Sequence, residues 1–461
     1  MAEGRFLTGS TMGHVVRMTM TGAAGITFVF LVDAANLFWL AQLGEPQLVA
    51  AIGFAYAIQF FSVSFAVGLM IAATAVISRS IGAGDRERAR RQGGAALLIA
   101  VLMVSLVSLL IFVFRHQLVA WAGGEGETAR LAARYLAQTI LSLIPMSGAL
   151  ICSGALRADG YGAKAMYVTM FSGVVLMVVD PILILWMGLG LDGAALGLVL
   201  FRFSLLGFAL YYAVHQTGLI ARPKLSTLRN ISAPFVVLAL PAIATQMSTP
   251  AGNYLLTMVM AQFGDDAVGA WAVVSRLTVL VFGGVFALSG AIGGIFGQNY
   301  GAGHMDRVRS TYLNAILFCL GYALFAWAVL FASTSMVIRA FDLGGQGAEV
   351  LRAFTAIGVS SFVFLGALFV SNAAFNNLGR PGIATLLNWG KDAAVSYPAA
   401  VWFAGLSGAV GVIYGQALAG VLMGCIAGLW GWWFVRGLSA PEALDLPPAR
   451  AYPNPDRYRR R

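Results

Sequence analysis

Asp33 is the one ionisable side chain in the apolar run from Met18 to Gln42. A carboxylate near the middle of a membrane helix costs about 2.5–3.5 kcal/mol on insertion scales, so an intramembrane acid is read first as a working group. Two more charges share that setting: Asp180, directly followed by Pro181, and Arg202. Counted from the ends of their apolar runs, all three lie roughly 12–14 Å below the same surface, so they can meet. Two carboxylates held together in low dielectric repel, and one of them keeps a proton more readily; a nearby arginine opposes this. That is the chemistry of proton coupling. The alternative is a structural ion pair in which Arg202 simply neutralises one acid. The second half of the chain carries Arg276 and the adjacent Lys391 and Asp392 at similar depth. Neighbouring residues point about 100° apart on an α-helix, so Asp392 is expected to pair with Arg276 while Lys391 turns to a cavity. Gln59, Gln246, Asn253, Asn372 and Asn376 are polar candidates for the same cavity, each equally able to tie helix to helix.

The elements that must hold these groups are membrane spans. Of 461 residues, 59% are hydrophobic and only 10% charged, which excludes an ordinary soluble domain. Apolar runs of the required ~20 residues predict twelve helices, over residues 18–42, 47–78, 93–114, 133–156, 165–187, 193–215, 233–261, 267–296, 310–332, 350–377, 383–405 and 409–435. The net charge of +10 is spread between spans instead of forming a patch for nucleic acid. The loops with Arg86, Arg88, Arg90 and Arg91, with Arg157 and Lys164, with Arg222, Lys224 and Arg229, with Arg307 and Arg309, and with Arg380 all fall on one side. By the positive-inside rule that side, and with it both termini, is cytoplasmic. The expected organisation is a cytoplasmic N-terminal segment (1–17), an N-lobe (18–215), a cytoplasmic linker (216–232), a C-lobe (233–436) and a disordered cytoplasmic tail (437–461). Cys152, Cys319 and Cys425 lie far apart in apolar segments with no metal-ligand spacing, so no metal site or cofactor is expected.

The chain also repeats itself. Residues 49–90 align without a gap on 268–309, an offset of 219 that matches Gly82-Ala83-Gly84 to Gly301-Ala302-Gly303, and the same offset relates Gly160 to Gly379. Each half then holds six helices. Six is even, so the halves share one orientation and are related by a pseudo-two-fold axis along the membrane normal, an all-α bundle pair able to rock around a central cavity.

With these residues assembled, the chain resembles the multidrug and toxic compound extrusion (MATE) family of efflux transporters. The motifs are the aspartate of the first span followed by Leu43-Gly44, Gly-Ala-Gly-Asp at 82–85, Leu-Arg-Ala-Asp-Gly at 156–160, Asp180-Pro181, Pro241, and Gly-Gln-Asn-Tyr-Gly-Ala-Gly at 297–303. The resemblance implies a two-lobe bundle exporting organic cations in exchange for protons or sodium. Members that bind a cation in the N-lobe carry an asparagine one turn before the fifth-span aspartate and a threonine in the sixth span. Leu176 and Leu198 stand at those positions here. The seventh span also lacks the glutamate, and the tenth the aspartate, of the other family pattern; the tenth offers Asn372.

The expected protein is thus a proton-coupled antiporter for hydrophobic or cationic small organic molecules, monomeric, in the plasma (inner) membrane. It would contact membrane lipid but no nucleic acid. Asp33, Asp180 and Arg202 form its ion-coupling set. Sodium coupling within the same family is the first alternative. A lipid-linked sugar flippase is another, although Asp33 and Asp180 are at odds with the strongly basic cavity of such proteins. An enzyme would need a convergent nucleophile, metal or cofactor set, and the sequence offers none.

Overall fold

A computed structural model describes residues 4–223 and 225–440. Twelve long helical rods run through these residues, α1 (Thr11–Ala41), α2 (Pro46–Gly82), α3 (Arg86–Trp121), α4 (Gly126–Ala158), α5 (Gly162–Trp186), α6 (Gly190–Gln216), α7 (Leu225–Ala261), α8 (Asp265–Ala291, continued by Gly293–Gly301), α9 (Met305–Ala332), α10 (Gly345–Asn377), α11 (Pro381–Trp389 through Tyr397–Ser407) and α12 (Ala409–Arg436), with a short helix over Thr334–Ala340 between α9 and α10. Among the described residues, eleven of these are long and apolar enough to cross a membrane; α11, which carries Lys391 and Asp392, is the twelfth. Most rods overrun the expected apolar runs because their polar ends stay helical. In α3 the Asp85 side chain caps the helix by accepting from the Arg88 backbone N–H at 2.8 Å, so the basic stretch after it is the first turn of a helix, not a loop. The segment expected as a linker over 216–232 is likewise shorter, since α7 already begins at Leu225. Residues 441–461 of the expected tail lie outside the described residues.

The repeat is visible in the backbone. Gly84 and Gly303 both turn with positive φ (77° and 75°), as do Gly160 and Gly379 (85° and 97°), and each pair is separated by the offset of 219. No side chain is strain-free there, which is why glycine closes all four turns.

The lobes grip each other at the end that carries these glycine turns and the basic residues. A Cβ on Gly82 would lie 2.0 Å from the Gln298 carbonyl oxygen, and one on Gly301 would lie 2.2 Å from the Arg79 carbonyl oxygen. Residues 82 and 301 are repeat equivalents, and so are 79 and 298, so α2 and α8 cross by a self-complementary contact that only glycine permits. The same symmetry governs the hydrogen bonds: Arg79 Nε donates to the Asn377 carbonyl (2.7 Å) and Gln298 Nε2 to the Ala158 carbonyl (2.6 Å), with 158 and 377 again 219 apart. The cores are exchanged too. Val15 and Met18 of α1 are buried in the C-lobe cluster, and Phe235, Ala239 and Ile243 of α7 in the N-lobe cluster.

The segment before α1 straps this end. Phe6 is 2% exposed; its N–H donates to Gln298 Oε1 (3.0 Å), and its carbonyl accepts from Arg307 (2.8 Å) and Asn299 (3.3 Å). Arg5 reaches the other lobe, bonding the Tyr161 hydroxyl at 2.6 Å and covering its ring. Among the described residues, every hydrogen bond between the lobes lies at this end.

Candidate functional site

Away from the gripped end the lobes part. The helices α1 and α8 run antiparallel and touch where a Cβ on Gly22 would meet Ala287 Cβ at 3.0 Å and one on Gly283 would meet Ile26 at 3.6 Å. Further out, Gly53 and Gly269 have nothing within 4 Å. Asp33 lies on α1 beyond the last of these contacts and is half-buried, and among the described residues it has no hydrogen-bond or ion-pair partner. A shallow apolar cavity of about 410 Å³ opens beside α1, lined by Met20, Ala23, Ala24, Thr27, Phe28, Leu31 and Tyr322.

One helical turn above Asp33, Asn36 donates from Nδ2 to Asp180 Oδ2 at 2.6 Å, so α1 and α5 bring the two acids to one face. Asp180 is 1% exposed, and its Oδ1 has no hydrogen-bond partner among the described residues. Glycine makes room for it: a Cβ on Gly197 of α6 would lie 2.1 Å from that oxygen and 3.1 Å from Leu176. The carboxyl is therefore wedged between one amide and apolar neighbours. Pro181 follows, and α5 widens into a π-helical stretch over Ile182–Trp186, the kind of local irregularity that recurs at functional sites.

Arg202 joins the same region without bonding either acid. Its guanidinium, 4% exposed, donates to the Thr139 carbonyl (3.0 Å), Ser142 Oγ (2.9 Å) and Gln59 Oε1 (2.5 Å). A 3₁₀ turn at Ile140–Ser142 interrupts the α-helical ladder of α4 beside that carbonyl, which also accepts from Ser142 Oγ (2.6 Å). Asp33 is within electrostatic reach of Arg202, and the buried Tyr135 phenol is within reach of Arg202, Asp180 and Asp33 together. A simple neutralising ion pair is therefore not what is found: the cation is held by neutral oxygens. Gln59, expected in the cavity, is 4% exposed and serves this network, since its Nε2 also donates to Thr139 Oγ1 (3.0 Å). Sequence reasoning missed Asn36, Thr139, Ser142 and Tyr135. Asn36 was findable from its spacing of three from Asp33; the others needed the fold.

The C-lobe set is arranged differently from the expectation. Asp392 does not pair with Arg276. It pairs with its neighbour Lys391, because residues Gly390–Ser396 are π-helical, with less rotation per residue, and the long lysine stem bends back. Asp392 itself is buried against α7, where a Cβ on Gly252 would meet its side chain at 2.8 Å. Asn372 is buried and exchanges hydrogen bonds with Asn388 (3.3 and 2.9 Å), a tie between α10 and α11, and Asn376 is 3% exposed. Neither lines an open cavity. Gln246 is half-buried, and Asn253 and Arg276 are exposed. Among the described residues, no cluster of three His, Cys, Asp or Glu residues could hold a metal ion.

A paired six-helix repeat, locked at one end and parted around membrane-depth acids, defines a membrane transporter and not an enzyme. The MatE family model matches residues 23–182 and 241–389, and the chain belongs to that family, the MATE transporters. Among curated relatives, it is 22% identical over 425 residues to a Shewanella oneidensis protein named FAD transporter, covering 91% of this chain and 94% of that one. It is 21% identical over 393 residues to the multidrug export protein MepA of Staphylococcus aureus, covering 83% and 85%. Among solved structures, a point mutant of the Vibrio cholerae MATE transporter VcmN superposes with a TM-score of 0.87 at 24% identity, covering 93% of this chain and 98% of that one.

Proposed function

We propose that the chain is a secondary antiporter that exports hydrophobic or cationic organic compounds in exchange for protons, by alternating access of its two lobes. The observation that carries this reading is Asp33, an unpartnered carboxylate at membrane depth on the wall where the lobes part. By the positive-inside rule the basic, locked end faces the cytoplasm, which places both termini there in a plasma (inner) membrane and makes the described state open outward. An organic cation rests against the Asp33 carboxylate. A proton arriving from outside neutralises that carboxylate, removes the attraction and releases the cation. The uncharged lobe can then close over the site, while the grip between Arg79, Gln298 and their partner carbonyls opens on the other side. Asp180, which accepts from Asn36 one turn along α1, is the second carboxyl able to take a proton. The protein works as a monomer.

Protons are favoured over sodium by the surroundings of Asp180. A sodium ion needs several oxygens around it, and Leu176, 3% exposed, borders the free Oδ1 where an oxygen ligand would be required. The two curated relatives differ in cargo by name, so neither name is carried over.

Dye extrusion by inverted membrane vesicles, driven separately by an imposed proton or sodium gradient, tests the reading. Proton-driven extrusion that Asp33→Asn abolishes, with the protein still in the membrane, is expected. Transport driven by sodium alone, or a normally active Asp33→Asn protein, overturns it.

A further inference from the structure

The cleft has a second charged wall. Counting seven residues outward from the Ile26–Gly283 contact along the antiparallel pair brings α1 to Asp33 and α8 to Arg276, at the same depth on opposite lobes. The repeat gives an independent fix. The gap-free alignment of 49–90 on 268–309 makes Tyr56 of α2 the equivalent of Ser275, so Tyr56 and Arg276 share that level too. Arg276 is exposed, and among the described residues it makes no hydrogen bond or ion pair. A guanidinium facing lipid at mid-bilayer would be costly, so it is read as turned to the aqueous cleft. Tyr56 is 51% exposed, stacks on Phe60 with ring centroids 6.1 Å apart, and lies within electrostatic reach of both Asp33 and Arg276. Lys391, the other cation at this depth in the C-lobe, is already matched by Asp392. The opening therefore presents a free carboxylate, a free guanidinium and a pair of aromatic faces.

We propose that Arg276 is a specificity residue that binds an anionic group of the cargo, so that the preferred substrates are amphoteric aromatic compounds, bearing a carboxylate or phosphate as well as a cationic or planar ring system. This rests on the export reading above and narrows it. A guanidinium recognises carboxylate or phosphate by paired N–H donors. Asp33 takes the cationic part, and the ring lies on Tyr56 and Phe60. A purely cationic compound gains from Asp33 but is repelled by Arg276, whereas an amphoteric one satisfies both walls.

The test uses a matched pair of dyes: rhodamine B, which carries a free carboxylate beside its cationic ring system, and its ethyl ester, in which the carboxylate is masked. Transport is measured in liposomes containing the purified full chain, and binding is measured by fluorescence anisotropy in detergent. The wild type is expected to transport and bind rhodamine B better than the ester. Arg276→Gln is expected to lose roughly tenfold or more for rhodamine B while the ester is unchanged or improved. Arg276→Lys is expected to fall between, because the charge stays and the bidentate fork is lost. A wild type that moves the ester but not rhodamine B overturns the proposal and leaves the export reading standing, as does a variant in which both dyes fall equally. A wild type that moves neither dye nor any organic cation under either ion gradient overturns the export reading, and this one with it. Should Arg276→Gln misfold, the wild-type ranking of the two dyes in the binding assay decides the matter by the same criterion.

Discussion

The two lobes share one architecture and treat their membrane charges in opposite ways. In the N-lobe, Asp33 and Asp180 have no cationic partner within ion-pair distance among the described residues, and the buried cation Arg202 is satisfied by a carbonyl, a hydroxyl and an amide. In the C-lobe, the buried Asp392 is matched by the lysine beside it. The difference teaches where ion coupling can reside. Protonating a carboxylate that already has a counterion strands the cation; protonating one that lacks a counterion removes a desolvated charge and strands nothing. On the proton-coupled reading proposed above, the N-lobe acids are the ones able to cycle, while the C-lobe acid is held by its lysine.

The largest expected effect separates function from stability. Asp33→Asn should reduce proton-driven dye extrusion by roughly two orders of magnitude, as removal of an essential proton acceptor does, while the Tm of the purified protein stays at or above the wild-type value. A lowered Tm with retained transport would erase the contrast between the lobes. Asp392→Asn should do the reverse, lowering stability by up to about 3 kcal/mol because the half-buried Lys391 is left unmatched. The double variant Lys391→Met, Asp392→Asn should recover most of that loss in the same thermal-unfolding assay; failure to recover would mean that the pair is not what holds Asp392.

Smaller effects probe the locked end against the parted one. Gly301→Ala should destabilise by about 1–3 kcal/mol, since its Cβ would press on the Arg79 carbonyl. Gly269→Ala, in open space beyond the contact, should be neutral in comparison. Equal Tm values for the two would argue that the crossing of α2 and α8 is not close. Arg5→Ala removes an exposed hydrogen bond and a cation–ring contact, and should shift Tm by no more than the equivalent of about 1 kcal/mol. A collapse in stability there would make the strap a structural keystone instead of a trim.

The candidate charges were legible because charge is conspicuous in hydrocarbon. Asp33, Asp180, Arg202, Arg276, Lys391 and Asp392 announce themselves in apolar runs, and all six sit in helices of the bundle. Their partners were not legible. The pairing of Asp392 with Lys391 depends on a π-helical stretch that leaves no mark in hydrophobic periodicity, and the wrapping of Arg202 depends on the Thr139 carbonyl and Ser142 hydroxyl that flank a 3₁₀ turn in α4. Gln59 and Asn372 read as cavity residues because a polar side chain in a span has two uses, lining water or tying helices, and only the burial of each decides which.

By itself the sequence determined the helical spans and the internal repeat, and set the expectation for their sidedness. These follow from local quantities: the length of apolar runs, the placement of arginines between them, and a fixed offset of 219 between matching residues. The tertiary structure alone decided which end of the bundle is locked. Closure depends on backbone approaching backbone at Gly82 and Gly301, and on Arg79 and Gln298 finding carbonyls in the opposite lobe. Such contacts join residues 298 and 140 positions apart, a separation no local pattern encodes.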